Sequence, residues 1–296
     1  MMRTIRGIRE IGDVIKGVRA RGLRVAFVPT MGNLHPGHLA LVARAREIAE
    51  FTAVSIFVNP FQFGVGEDFQ TYPRTLDDDI AMLQEAGADF LFIPQVIDLY
   101  PKGLDSITRV EVPEIDKILC GEFRPTFFRG VTTVVSMLFH LVQPDYAILG
   151  EKDYQQLVII KRMVSDLKMP VRIVPIPTMR ESDGLAMSSR NIYLDEDERR
   201  LAPTLYETLR EAVASLMIGD TDLNAIRAKG IKTLKAAGFR PDYFEIRRAI
   251  DLAVPGQGDT GKADNRNLRI LAAAWLGKTR LIDNIPVGEI SPVPEG

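Results

Sequence analysis

The chain has 296 residues, 46% hydrophobic and 26% charged, with 37 Lys and Arg against 39 Asp and Glu. This balance excludes collagen-like, disordered and disulfide-scaffold classes, and near-neutral charge with scattered basic residues speaks against nucleic acid as the main partner. One cysteine, Cys120, has no internal partner for a bridge, which fits a reducing cytoplasm. No apolar run reaches the roughly 18 residues that span a bilayer, and the charged stretch Met1 to Arg24 lacks a secretory signal's apolar segment.

Taken in chain order, Leu23 to Val28 is the first short run of β-branched and aromatic residues, and helical spacing follows through Leu39, Val42, Ala43 and Ile48. Phe51 to Val58 is a second strand-like run, then a helical pattern through Ile80, Leu83 and Ala86, then runs at Asp89 to Ile93, Tyr146 to Leu149 and Val171 to Ile176. Nearly all-apolar strands alternating with helices predict βαβ units feeding a buried parallel sheet. The prolines Pro175 and Pro177 mark an expected hinge. Beyond it the pattern predicts one long helix over Asp195 to Met217, another over Leu223 to Ala237, and strands within Tyr243 to Ile250 and Leu268 to Ile285. The Gly- and Asp-rich stretch Pro255 to Asn267 reads as an exposed, mobile loop. The expected fold class is therefore α/β, with a parallel-sheet N-terminal domain over 1–178 and a smaller α+β domain over 179–296.

The unusual polar residues fall at the expected strand ends. The first strand runs into Pro29-Thr30-Met31-Gly32-Asn33-Leu34-His35-Pro36-Gly37-His38, the second into Asn59-Pro60-Phe61-Gln62. The Tyr146 strand runs into Gly150-Glu151-Lys152-Asp153-Tyr154-Gln155-Gln156, and the last into Thr178-Met179-Arg180, shortly before Met187-Ser188-Ser189-Arg190. Ligands of open α/β sheets bind outside the carboxyl ends of the strands, so these clusters are expected to converge on one crevice.

Two of the three histidines share the His-Pro-Gly-His turn. At a helix N-terminus they would sit beside unsatisfied N–H groups that suit phosphate; the plain alternative is a pair of capping histidines. Zinc fits poorly, with no third histidine nearby. Lys152 suits a phosphate oxygen, or else simply precedes a helix that Asp153 caps. Ser188, Ser189 and Arg190 suit a mobile phosphate clamp, or equally a surface turn. Gln62 and Gln156 could orient a small hydroxy acid without adding charge, or be surface amides. Asp77-Asp78-Asp79 reads either as a metal-binding run or as a helix-dipole cap. Gly277-Lys278-Thr279 is no phosphate loop, because Ala272 stands where the leading glycine belongs.

Together, Thr30-Met31-Gly32 with His35 and His38, Phe57 to Pro60 with Gln62-Phe63, Tyr72 to Thr75, Phe128 to Val131, Gly150 to Gln156 and Asp183 to Asn191 resemble the pantothenate synthetase family. The resemblance runs from about Arg24 to the terminal Thr279-Arg280-Leu281-Ile282-Asp283-Asn284. It implies a Rossmann-like N-terminal domain with a small C-terminal lid domain, usually dimeric, that condenses pantoate with β-alanine through pantoyl adenylate, releasing pyrophosphate and AMP. It also implies which residues take part. ATP would lie along Met31, Gly32, Asn33, Leu34, His35, Pro36, Gly37 and His38, at Gly150, Glu151, Lys152 and Asp153, near Met179, and at Met187, Ser188, Ser189 and Arg190. His38 takes the family's proton-donor position, beside His35 and with Lys152 on the phosphates. Gln62 and Gln156 would bind pantoate, Gln62 also approaching β-alanine, with Asn59 in support. Magnesium is expected on ATP, with Asp78 and Asp79 as contributors.

Three positions depart from the family pattern: Phe127 where histidine is common, and Asn33 and Pro36 where alanine and glutamate are common. The last two are expected to alter only the stiffness of the turn. Three rivals are weighed against this reading. A dinucleotide-forming adenylyltransferase would want basic residues in place of Gln62 and Gln156. An RNA-binding synthetase relative would want a basic surface. A non-catalytic binding protein would not need the intact His35, His38, Lys152 and Ser188 to Arg190 set.

Overall fold

A computed structural model of the chain describes residues 2–64, 66–256, 259 and 267–288. It divides into two compact units, Met1–Glu151 with Ile159–Pro177, and Lys152–Val158 with Thr178–Gly296. Among the described residues no helix is long and apolar enough to cross a membrane.

The first unit is built on β1 (Arg3–Ile5), α1 (Ile8–Ala20), β2 (Val25–Thr30), α2 (Pro36–Ile48), β3 (Phe51–Ile56), α3 (Leu76–Glu85), β4 (Phe90–Phe92), α4 (Val96–Leu99), α5 (Cys120–Phe123), α6 (Phe127–Val142) and β5 (Tyr146–Gly150). It closes with α7 (Tyr154–Asp166), of which the later part belongs to this unit, and β6 (Arg172–Ile176). Six strands form one parallel sheet in the order β1-β4-β3-β2-β5-β6. The all-apolar strand runs follow from helices on both faces. Ala26 and Val28 pack with Leu41, Val42 and Ala45 of α2 and Leu83 of α3. The intervening Phe27 points the other way and meets Phe139 of α6 edge-on, at 6.4 Å between ring centres.

Chain order reverses between β2 and β5, since successive strands are added on one side of β2 and then on the other. That is the topological switch point where open α/β sheets bind ligands. The two strands also part there. β2 pairs with β3 through all six residues but with β5 only at Ala26 and Phe27. Pro29, which has no N–H to give, lies in the stretch of β2 that has left β5.

Neither β1 nor α6 was legible in the sequence. β1 has only three residues and no periodicity to detect. α6 is strongly apolar and rich in β-branched Val and Thr, most of it buried, so its run reads as readily as a buried strand as a helix.

The second unit holds α8 (Glu196–Leu201), α9 (Thr204–Met217), α10 (Leu223–Ala236), β7 (Arg240–Arg248), β8 (Leu268–Leu276) and β9 (Thr279–Pro286). Its strands form an antiparallel sheet in the order β7-β8-β9. Leu205, Leu209 and Val213 of α9 share a core with Phe244, Ile270, Ala272 and Leu281 of that sheet. The single helix expected over Asp195 to Met217 is two, broken at Ala202 and Pro203. Pro203 cannot donate to the preceding turn and its ring crowds that turn's carbonyl, so a new helix starts at Thr204. The short piece Lys152–Val158 belongs with this unit for identifiable reasons. Asn284 Nδ2 donates to the Lys152 carbonyl at 2.9 Å, the Tyr154 hydroxyl donates to the Ala249 carbonyl at 3.0 Å, and Arg269 stacks on the Tyr154 ring at 3.6 Å. Most of the loop expected over Pro255 to Asn267 lies outside the described residues.

Candidate active site

At the switch point of the first unit, β2 delivers the chain into a turn in which Gly32 (φ +82°) and Asn33 (φ +49°) are both left-handed. Asparagine is among the few side chains that tolerate that region, so Asn33 suits the turn better than alanine would. Pro36 then occupies the first turn of α2, where its fixed φ and missing N–H cost nothing.

His35 is the N-cap of α2, and the two histidines cap the helix reciprocally. His35 Nδ1 accepts from the Gly37 N–H at 3.2 Å, and His38 Nδ1 accepts from the His35 N–H at 3.4 Å. The rings lie 4.1 Å apart at an interplanar angle of 49°. An imidazole nitrogen that accepts carries no proton, so in the neutral form both rings carry their hydrogen on Nε2. The cap therefore sets the chemistry of both rings: backbone N–H groups fix the tautomer and place the hydrogen on Nε2 at the positive end of the helix dipole.

The end of β3 carries a second preorganised group. Asn59 is 1% exposed and fully used. Its Oδ1 accepts from the Tyr100 hydroxyl at 2.7 Å and the Phe61 N–H at 3.1 Å, and its Nδ2 donates to the Gly130 carbonyl and to Gln62 Oε1, each at 3.1 Å. Burial pushes the Tyr100 phenol above its ordinary range and so keeps it a donor, a shift only partly countered by its bond to Asn59. Because Phe61 N–H must give and the Gly130 carbonyl must accept, the Asn59 amide has one orientation. Gln62 therefore turns Oε1 toward Asn59 and its Nε2 toward Met31, 2.9 Å from the sulfur.

Gly130 lets α6 lie directly on the turn Pro60–Gln62. A Cβ there would stand 2.3 Å from the Phe61 carbonyl oxygen and 2.7 Å from Gln62 Cα. Gly130→Ala is expected to cost about 1–3 kcal/mol, the range of an overpacked core, read as a fall in thermal midpoint. A variant as stable as the parent would show that the turn yields freely.

Within the second unit, Met179 and Met187 are brought side by side by a short hairpin in which the Met187 N–H donates to the Met179 carbonyl at 3.0 Å. Ser188 caps the following 3-10 turn Ser189–Tyr193 by accepting from the Arg190 N–H at 3.3 Å, and Ser189 is buried. Lys152 sits in a 3-10 turn with Nζ 3.8 Å from Asp153 Oδ2, and its carbonyl is held by Asn284. Asn284 Oδ1 in turn accepts from Arg269 Nε at 2.6 Å. The sequence-nominated residues thus divide between the units. Met31 to His38, Asn59, Gln62, Asp78, Asp79, Gly150 and Glu151 lie in the first; Lys152, Asp153, Gln156, Met179 and Met187 to Arg190 lie in the second.

Comparison with known proteins decides the family. The model of the pantoate–β-alanine ligase family matches residues 3–286. The chain belongs to that family. It is 52% identical over 286 residues to the pantothenate synthetase of Pseudomonas aeruginosa strain UCBPP-PA14, covering 97% of this chain and 99% of that one. Among solved structures, pantothenate synthetase from Thermus thermophilus is 44% identical with a TM-score of 0.88, over 97% of this chain and 99% of that one. The pantoate–β-alanine ligase of Francisella tularensis, complexed with β,γ-ATP and β-alanine, is 34% identical with a TM-score of 0.80, over 98% and 99%.

Against that family, Phe127 takes a packing role here. Its ring carries the Arg124 guanidinium at 3.7 Å, and Arg124, paired with Glu67, reaches the Gln62 carbonyl at 3.4 Å. Among the described residues no group of three or more His, Cys, Asp and Glu side chains could hold a metal ion. Asp77 and Asp78 are exposed in the first turn of α3, whereas Asp79 is 1% exposed and accepts hydrogen bonds from the His-motif turn. Sequence reasoning assigned no role to Tyr100, Gly130, Arg124 or Arg269, since each acts through a partner distant in the chain.

Proposed function

We propose that this member of the ligase family joins pantoate to β-alanine at the expense of ATP. In the first step a pantoate carboxylate oxygen bonds to the α-phosphorus while the bond to the leaving pyrophosphate breaks. In the second the β-alanine amine, having given up a proton, attacks the acyl carbon of pantoyl adenylate, and AMP leaves with the bonding pair. The observation that carries the reading is the reciprocal capping of α2 by His35 and His38, which supplies two oriented Nε2–H donors at the switch point of the sheet. Charge develops on phosphate oxygens in the first step, so oriented donors and cations lower its barrier without covalent help from the protein.

In this reading His38 donates its proton to the reacting phosphate and His35 supports it. Lys152, Ser188, Ser189 and Arg190 hold the phosphates; Met31 to His38, Gly150 to Asp153, Met179 and Met187 line the nucleotide. Gln62 gives N–H bonds to the pantoate oxygens, Asn59 holds Gln62, and Gln156 binds the same substrate. Magnesium, entering with ATP and keeping several of its waters, would neutralise phosphate charge. Asp78, being exposed beside the equally exposed Asp77, fits contact with that hydrated ion. We further infer a cytoplasmic homodimer, for which the single cysteine and the family resemblance are the support; sedimentation equilibrium tests the dimer.

The experiment is exchange of labelled pyrophosphate into ATP. Exchange is expected with pantoate present and β-alanine absent, and pantothenate and AMP are expected in equal amounts once β-alanine is added. Exchange that depended on β-alanine, or none with any substrate, would overturn the scheme. Gln156→Ala is expected to raise KM for pantoate about tenfold or more while leaving that for ATP within about twofold, the loss of hydrogen bonds to a polar substrate. Equal changes in both constants would misplace Gln156.

A further inference from the structure

Asp79 is the fourth residue of α3, and its carboxylate is spent on the turn before the histidines. Oδ1 accepts from the Leu34 N–H at 2.8 Å and from the Thr75 hydroxyl at 3.2 Å, and Oδ2 accepts from the Asn33 N–H at 3.0 Å. The carboxylate can come this close because residue 32 is glycine. A Cβ there would stand 2.9 Å from Asp79 Oδ2. Two successive residues of the turn, Gly32 and Asn33, are left-handed, a region that both tolerate but share with other conformations, so bonds from outside the turn select the one that is held. The bonds that hold the backbone of Asn33 and Leu34 are those to Asp79, and the next residue along the chain is His35.

We propose that Asp79 is a positioning residue for adenylation: it holds the Gly32–Leu34 turn that aims His35 and His38, and it is not a ligand of magnesium. A magnesium ligand needs an accessible oxygen and room for a nearly octahedral shell of water. At 1% exposure, with both oxygens bonded to the turn, Asp79 offers neither. The exposed aspartates before it remain the better candidates for a hydrated ion. The proposal rests on the reading of His38 as part of the adenylation machinery.

Asp79→Asn tests it, because the amide keeps the shape but presents an N–H where a backbone N–H needs an acceptor. Pantoate-dependent pyrophosphate exchange is expected to fall about ten- to hundredfold, the effect of misplacing a reacting group by about an ångström. The magnesium concentration giving half-maximal rate is expected to stay within about twofold. With three histidines in the chain, two-bond nitrogen–proton spectra of the rings can be assigned one by one. His35 and His38 are expected to show Nε2–H tautomers in the parent and mixed tautomers in the variant. A magnesium requirement raised tenfold with unmoved histidine signals would make Asp79 a metal ligand and overturn the proposal, as would unchanged rate and signals. Should Asp79→Asn fail to fold, Thr75→Val decides. It removes the hydroxyl that donates to Asp79 Oδ1 at 3.2 Å and lies 3.4 Å from Asn33 Oδ1, without changing side-chain shape, and a two- to fivefold slower exchange with displaced histidine signals is expected; unmoved signals would overturn the proposal. The ring spectra need no substrate, so an inactive parent protein would sink the proposed function and still leave the positioning claim decidable.

Discussion

His38→Ala is expected to slow adenylate formation by at least about a hundredfold, the range for loss of a general acid or an electrostatic donor. The substitution removes two things, and they separate by measurement. One is the Nε2–H that would meet the developing phosphate charge. The other is the Nδ1 acceptor for the His35 N–H, part of the cap of α2, worth about 1 kcal/mol and therefore a small fall in thermal midpoint. His38→Asn distinguishes them, since a carbonyl oxygen on a short side chain can restore the acceptor but cannot place a donor at the Nε2 position. Both variants are expected to be comparably slow, with His38→Asn recovering most of the lost stability. Single-turnover formation of pantoyl adenylate from enzyme, ATP and pantoate reads the chemical step directly. An alanine variant within about threefold of the parent would take His38 out of the chemistry and leave it a capping residue.

Much of this architecture was legible in the sequence. Five of the six strands of the parallel sheet showed as short, apolar, β-branched runs because helices cover both faces, and such runs announce themselves. The polar clusters at their ends followed from the same map, and the antiparallel strands of the second unit showed as well. What escaped notice did so for physical reasons. α6 is a mostly buried run rich in β-branched Val and Thr, a composition that does not separate helix from buried strand. Pro203 lies inside a strong helical pattern that outweighs it in the sequence, yet it splits that pattern in two. Asn33 looked like a minor change in turn stiffness, yet it occupies a left-handed position that suits asparagine. The local sequence around Asp79 shows only a run of three aspartates at a helix start, while its carboxylate is committed to two backbone N–H groups far earlier in the chain. The residues that bind can be nominated from motifs; the residues that aim them are chosen by tertiary contacts, which leave no local pattern.

The second large effect is expected from Asp283→Ala, and it concerns stability. Asp283 is 4% exposed and meets Arg180 in a two-pronged pair, Nη1 to Oδ2 at 2.6 Å and Nη2 to Oδ1 at 3.0 Å. Arg180 also lies 3.6 Å over the Tyr206 ring and donates to the Gly184 and Asn284 carbonyls. Removing the carboxylate leaves a largely buried guanidinium, on a side chain 15% exposed, without its counter-charge, which costs about 3 kcal/mol, the low end for a broken buried pair. The chain's single tryptophan, Trp275 on β8, belongs to the same unit, so its fluorescence reports that unit's unfolding. The urea midpoint read there is expected to fall by about 1 M or more, given slopes of about 1–3 kcal/mol per molar. Replacing both partners, Arg180→Met with Asp283→Leu, is expected to recover a large part of the loss, because the penalty comes from the orphaned charge and not from the absence of a pair. Nucleotide binding should not recover with it in equal measure. Arg180 follows Met179 directly and its guanidinium spans the hairpin to the Gly184 carbonyl, so the double variant keeps the core while loosening the strand that carries Met179 and Met187. A single variant whose Trp275 transition stays at the parental midpoint would mean that water reaches Arg180 and screens its charge, and the pair would then count for no more than a surface salt bridge.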